Sequence, residues 1–209
     1  MRTGLIILGI PLFICVVAMV SIIYLEYTES KEEIVTSDGG FEEIVKDYEE
    51  PTEEEFSHYN FIFPIAKEDF RAYTSPFGIR VSPFTGKELY HKGLDIAGVW
   101  RSQIVAIADG VVIEHYPPPG TVRNGIRFRG HEVYGGMIIL QHEDGSRSLY
   151  AHLHSTRVTT GQLIRAGEVI GRMGNTGLSR GDHLHIEIII NGEPVNPLLY
   201  LPEFTEEEL

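Results

Sequence analysis

From about residue 60 to residue 200 the chain has no long amphipathic stretch of the kind that makes a helix. It breaks instead into short runs rich in branched and aromatic residues: FIFPIA, YTSPFGIRVSP, IVAIADGVVIEH, GGMIILQHEDGSRSLYAHL, QLIRAGEVIGRMG and LHIEIIINGEPVN. Turn formers separate the runs, namely Pro-Phe-Thr-Gly, Glu-Asp-Gly-Ser, Arg-Ala-Gly and Asn-Gly-Glu-Pro. Short strands punctuated in this way predict a mainly β domain of antiparallel, sandwich-like sheets over residues 60–200. The 22 glycines and 11 prolines of the 209-residue chain fit that reading. Such a stretch, roughly 140 residues, is long enough to bury a core of its own.

The flanking segments differ in texture. Residues 5–25, LIILGIPLFICVVAMVSIIYL, carry no charge. At ~1.5 Å per residue they span a hydrocarbon core of ~30 Å. The run is longer than the apolar part of a signal peptide, and no small-x-small cleavage site follows it, so it reads as an uncleaved transmembrane signal anchor. Arg2 before it and acids after it place residues 1–4 in the cytoplasm and the rest of the chain outside. Cys15, the single cysteine, rules out an intrachain disulfide, and Phe13 and Ile14 before it do not make a lipoprotein cleavage box. Residues 26–59 read as an acidic flexible linker, since positions 26–58 hold 13 acids against 2 lysines. Residues 201–209 read as an acidic tail. The formal charge of −13 therefore belongs to linker and tail; residues 59–200 hold 14 basic against 13 acidic side chains. That balance lacks the basic footprint of a nucleic-acid binder, and no nucleic-acid partner is expected.

Three short motifs carry the chemistry: HKGLD at 91–95, YAHLH at 150–154 and DHLHIE at 182–187. On a strand, residues two apart share a face. His183, His185 and Glu187 therefore line one side, and Leu184, Ile186 and Ile188 face a core. A lone His-x-His is as often a solvated polar face; the other motifs change that balance. His91 and Asp95 would lie about 13 Å apart if fully extended, so Gly93 is expected to bend the chain and let them converge. Two histidines and one aspartate make a three-ligand zinc site with an open fourth position, the pattern of catalytic zinc. One anionic ligand leaves the site net positive, which favours a lowered pKa for bound water. The remaining histidines are available as acid, base or hydrogen-bond partners.

HKGLD, YAHL and HLHIE, in this order and spacing, resemble the lysostaphin/LytM-type zinc endopeptidases, and the resemblance runs from YTSPFGIR through GNTG to PVNP, residues 73–197. It implies a LytM-type peptidase domain that cleaves peptide bonds in bacterial peptidoglycan with one Zn2+ per chain. It implies that His91, Asp95 and His185 bind the metal and that His152 and His183 are the two non-ligand catalytic histidines. Glu187 either orients a histidine by accepting a hydrogen bond from it or is an ordinary solvated carboxylate. His58, His115, His142 and His154 read as surface or satisfied core groups.

The chain departs from the family pattern in two places. Relatives usually follow the aspartate with a small turn containing Pro and Gly, where this chain has IAGVWRSQIVA; Trp100 is there either core or groove lining. An insertion at 116–136 carries Arg123, Arg127, Arg129, Phe128 and Tyr134, and reads either as a groove wall for anionic carboxylates or as a decorated surface hairpin. Some relatives use a tyrosine in the transition state; Tyr90, next to His91, does not align convincingly with it.

The expectation is a single-pass protein of the bacterial cytoplasmic (inner) membrane, its catalytic domain periplasmic, cutting stem or cross-bridge peptides. A divisome or cell-wall protein is a candidate partner. The first rival is a non-catalytic envelope scaffold that activates other hydrolases. The second is a carrier domain, because VTTGQLIRAGEVIGRMG looks like a biotinyl/lipoyl hairpin; that segment has no lysine to carry the group.

Overall fold

The computed structural model describes residues 59–82 and 85–202. The apolar run at 5–25, the acidic linker up to residue 58 (including His58) and the tail from 203 lie outside the described residues. Among the described residues no helix is long and apolar enough to cross a membrane. Helix is limited there to two three-residue 3-10 turns, Lys67–Asp69 and Pro197–Leu199. The rest is strand and turn, as the punctuation of the sequence predicts.

In chain order the strands are β1 (Phe70–Ser75), β2 (Gly78–Val81), β3 (Glu88–His91), β4 (Leu94–Gly98) and β5 (Gln103–Val105). There follow β6 (Gly110–Tyr116), β7 (Val122–Arg123), β8 (Ile126–Arg127), β9 (Gly136–Gln141) and β10 (Arg147–Leu153). The last are β11 (Ser155–Thr156), β12 (Leu163–Ile164), β13 (Val169–Arg172), β14 (His183–Ile190) and β15 (Glu193–Val195). The main sheet runs β1-β4-β14-β10-β9-β6-β12, with β15 also paired to β14. A three-stranded sheet, β11-β13-β5, and two hairpins, β2–β3 and β7–β8, complete the pairing. Every pairing is antiparallel.

Strand β14 shows why the domain folds as it does. Leu184, Ile186 and Ile188 are fully buried, as their alternation predicts. They join Leu94 and Ile96 of β4, Ile138 and Leu140 of β9, and Tyr150 of β10 in one core. Ile104 and Ile170, from β5 and β13, belong to the same core, so the small sheet closes over the large one. Each such side chain contributes about 1.5–3 kcal/mol on burial. The opposite face of the main sheet carries a smaller cluster of Met137, Leu149 and Ala151, against which Tyr134 packs.

The turn signals act where expected. Gly145 takes positive φ in the β9–β10 hairpin, and Asn191 and Gly192 both do so between β14 and β15. Two consecutive left-handed residues match the twist of a tight hairpin.

Candidate active site

Register brings the site together. Asp95 on β4 lies directly opposite His185 on β14, so the two side chains share a face of the sheet. Their atoms Oδ1 and Nδ1 are 2.8 Å apart. His91, the last residue of β3, points its Nε2 to within 3.0 Å of His185 Nδ1 and 3.2 Å of Asp95 Oδ1. All three residues are buried. The chain between His91 and Asp95 turns rather than extends, but not by a left-handed glycine: Gly93 is not among the positive-φ residues. What Gly93 supplies is room, because a Cβ there would sit 2.4 Å from the carbonyl oxygen of Ile186.

The outer nitrogens of the two rings fix their tautomers. His91 Nδ1 lies 2.7 Å from the carbonyl oxygen of Pro76, and His185 Nε2 lies 3.0 Å from Glu187 Oε1. Carbonyl and carboxylate oxygens only accept, so both outer nitrogens carry the proton. In the neutral rings, the form that binds a metal, that leaves lone pairs on His91 Nε2 and His185 Nδ1, both aimed at the Asp95 carboxylate. Three electron-rich atoms about 3 Å apart require a cation among them. A small divalent ion with N/O bonds of about 2.0–2.2 Å fits that donor set, and two imidazoles with one carboxylate suit zinc. Without a metal, protons must take its place. Burial opposes charge on His185, but hydrogen bonds to Asp95 and Glu187 outweigh it and raise its pKa. Burial would raise the Asp95 carboxyl, yet hydrogen bonds from His185 and His91 hold it well below the usual carboxylate range.

Glu187 therefore orients His185, the first of its two alternatives. Its Oε1 also accepts from the Tyr134 hydroxyl at 2.6 Å. Burial and that bond push the Tyr134 phenol well above its ordinary pKa. His131 holds the tyrosine's loop: its Nδ1 accepts from the backbone N–H groups of Val133 and Tyr134. Its ring lies against Tyr134, with centroids 5.0 Å apart.

His152 reaches the site by breaking the strand rule. Ala151 faces His185 across β10 and β14, so plain alternation would send His152 into the core. Instead the β9–β10 ladder is irregular between Tyr150 and Leu153, and His152 has φ of 60°. The left-handed residue re-aims its ring to 4.7 Å from that of His183 and 5.8 Å from that of His185. Its Nδ1–H donates to the carbonyl oxygen of Thr176 at 2.7 Å, which leaves Nε2 as an acceptor. Burial, with the charge of His183 second, pushes its pKa down to about 4. His183 Nδ1 lies 2.9 Å from the carbonyl oxygen of Gly181, and its Nε2 is 3.7 Å from Asp95 Oδ1.

All five expected residues line one groove of about 720 Å3. Its walls include Leu89 and Tyr90 on one side, Val133 and Tyr134, and Leu178 to Asp182. Of the 116–136 insertion only Val133 and Tyr134 line it; Arg123 and Arg127 sit on the exposed β7–β8 hairpin. Trp100 neither fills the core nor lines the groove: it is 46% exposed and packs against His154, which also turns away from the groove. His115 bonds Thr156, and His142 is buried between the Asp109 carbonyl and Ser148.

Sequence reasoning passed over Arg80, which is 3.5 Å from Asp95 Oδ2 and donates to Ser75 Oγ at 2.8 Å. Its place on a short strand just upstream of HKGLD was an available signal. It also missed the part played by Tyr134 and His131, which only tertiary packing brings to the His91, Asp95 and His185 cluster.

Comparison with known proteins places the domain in a family. The model of peptidase family M23 matches residues 89–197. The DD-carboxypeptidase/endopeptidase Mpg of Neisseria meningitidis is 39% identical over 139 residues, 65% of this chain and 29% of Mpg. The murein hydrolase activator NlpD of Escherichia coli is 41% identical over 123 residues, 59% of this chain and 29% of NlpD. This chain thus spans under a third of the length of either curated relative. Among solved structures, a zinc-containing peptidase from Vibrio cholerae superposes with a TM-score of 0.55 at 30% identity, covering 66% of this chain and 39% of that one.

Proposed function

The chain belongs to peptidase family M23, and from that premise we propose that it is a zinc-dependent endopeptidase that cuts peptide bonds in bacterial peptidoglycan. The observation that carries this reading is the convergence of His91 Nε2, Asp95 Oδ1 and His185 Nδ1, with His152 and His183 beside them in one groove. Those three residues would hold the ion, which when bound supplies Lewis acidity and an acidified water.

The chain's own groups do the rest. Glu187 and Tyr134 hold the His185 ring at a fixed tilt. His152 takes the proton from the attacking water at Nε2, since burial keeps its ring neutral at pH 7 and Thr176 occupies its other nitrogen. His183, whose Nδ1–H is taken by the Gly181 carbonyl, donates to the developing oxyanion from Nε2 once that nitrogen is protonated, and His152 returns the water's proton to the leaving amine. Val133, Tyr90 and Leu89 offer apolar walls for an extended peptide.

The anchor at 5–25 and the linker at 26–59 complete the proposal: a domain tethered to the outer side of the inner membrane, its reach set by about 30–35 Å of flexible coil. Likeness to NlpD favours a second reading, a scaffold that activates other hydrolases. One experiment separates the two: bound zinc and cleavage of isolated peptidoglycan, followed as new peptide ends by mass analysis, in the full-length chain and two variants. The endopeptidase reading expects about one zinc per chain and chelator-sensitive cleavage. It expects His152→Ala to lose cleavage and keep zinc, and His185→Ala to lose both. Full activity in either variant refutes the assignment, and absence of both zinc and cleavage in the unaltered chain supports the scaffold.

A further inference from the structure

A second depression, of about 370 Å3, is lined by Arg101, His154, Ser155 and Arg172. None of these residues lines the groove of the metal cluster. Among the described residues no carboxylate lines the depression, in a chain whose acids outnumber its bases by 13. Arg101 Nη2 donates to His154 Nε2 at 2.7 Å. A guanidinium only donates, so His154 is the neutral acceptor there. Burial, then the charges of Arg101 and Arg172, lower the His154 pKa and agree with a neutral ring. Arg172 Nη1 donates to the carbonyl oxygen of Arg101 at 2.8 Å. Each guanidinium has five N–H donors and uses one in these contacts, so two planar cations face an open space with donors to spare.

Two further observations point to a ligand. Arg101 has φ of 64°, a backbone conformation that glycine adopts freely and an L-residue only at a cost. A strained residue held in place is grounds for seeking a role for its side chain. Beside it Trp100 exposes nearly half of its surface, with its ring 5.0 Å from that of His154 and 5.8 Å from the Arg101 guanidinium. An exposed indole next to two guanidiniums that line one depression offers a flat apolar surface and donors for an oxyanion side by side.

We propose that Trp100, Arg101, His154 and Arg172 form a binding site for an anionic saccharide, a sugar ring bearing a carboxylate or a phosphate. The ring's C–H face lies on the indole and the oxyanion bridges the two guanidiniums. This site is independent of the peptidase reading and holds for a catalytic or a non-catalytic chain.

Trp100 is the only tryptophan in the sequence, so its emission reports this site alone. The full-length chain in mild detergent at low salt is titrated with glucuronic acid, glucose 6-phosphate and neutral glucose. A saturable, salt-sensitive change with at least one acidic sugar and none with glucose is expected. A response to glucuronic acid alone assigns a carboxylate ligand, and one to glucose 6-phosphate alone a phosphate. Arg172→Gln and Arg101→Gly should each weaken binding about tenfold, the loss of a charge-assisted hydrogen bond. Gly suits the left-handed turn, so R101G is expected to keep or raise its melting temperature, which separates lost binding from lost folding. The proposal is overturned if neither acidic sugar gives saturation, if glucose responds equally, or if both variants bind as the unaltered chain does.

Discussion

Gly93→Ala tests how the His91, Asp95 and His185 cluster is positioned. The added Cβ would stand 2.4 Å from the carbonyl oxygen of Ile186, 2.8 Å from His185 Cε1 and 2.9 Å from His185 Nε2. A comfortable C···O contact is about 3.3–3.6 Å, so something must yield by about 1 Å. The obstacle is backbone, and it cannot swing aside alone. Ile186 is paired with Leu94 on one side of β14 and with Tyr150 on the other. Overpacking of this kind costs about 1–3 kcal/mol, which lowers the melting temperature of a domain this size by roughly 3–10 °C. The same shift displaces His185, and as a proposed zinc ligand it would tolerate only about 0.2 Å. Zinc affinity should fall about 10–100-fold, as when a ligand's support is removed. Thermal unfolding in excess chelator isolates the packing cost, and competition against a chromogenic chelator gives the affinity. Gly181→Ala is the control, since nothing lies within 4 Å of its Cβ position. Wild-type stability and zinc affinity in G93A, or equal losses in G181A, would falsify the claim that Gly93 is required for close strand approach.

Two more predictions concern other layers of the domain. Tyr134→Phe removes the 2.6 Å bond to Glu187 but leaves Glu187 on His185; zinc affinity should drop up to about tenfold, and an unchanged affinity would show that Tyr134 does not help hold the ring. His142 is buried, and burial lowers its pKa despite the Asp109 carbonyl. The unfolded ring takes up a proton near pH 6.5 while the native ring resists it, so the native state binds fewer protons. Stability is therefore present above that pH and lost as pH falls below it. His142→Gln should flatten this acid slope in melting experiments on the metal-free chain; an identical slope in variant and parent refutes the assignment.

The sequence was readable where periodicity rules and silent where the backbone departs from it. Alternation alone placed His183, His185 and Glu187 opposite Leu184, Ile186 and Ile188, because β14 is regular throughout and buried on its apolar face. It could not place His152, whose side depends on one left-handed residue in an irregular ladder. Gly93 was expected to bend the chain and proved to make room for a neighbouring strand, a contact between residues more than 90 positions apart. Trp100 reads from the sequence as core or groove lining and lies in neither. The difference turns on the packing of His154 and Arg101 against it, which no local pattern encodes. The 116–136 insertion divides in the same way, two residues at the groove and an arginine-bearing hairpin outside it.

The direct pairing of Asp95 with His185 would make the proposed metal site a reporter of strand alignment. If β14 slipped by one residue along β4, Leu184 or Ile186 would stand opposite Asp95 and the histidines would turn toward the core. A misaligned chain could not assemble the cluster at all. An ion taken up from the surroundings would thus be retained only by correctly paired molecules, and its binding energy would fall entirely on that alignment. Metal supply would then act as a check on strand pairing.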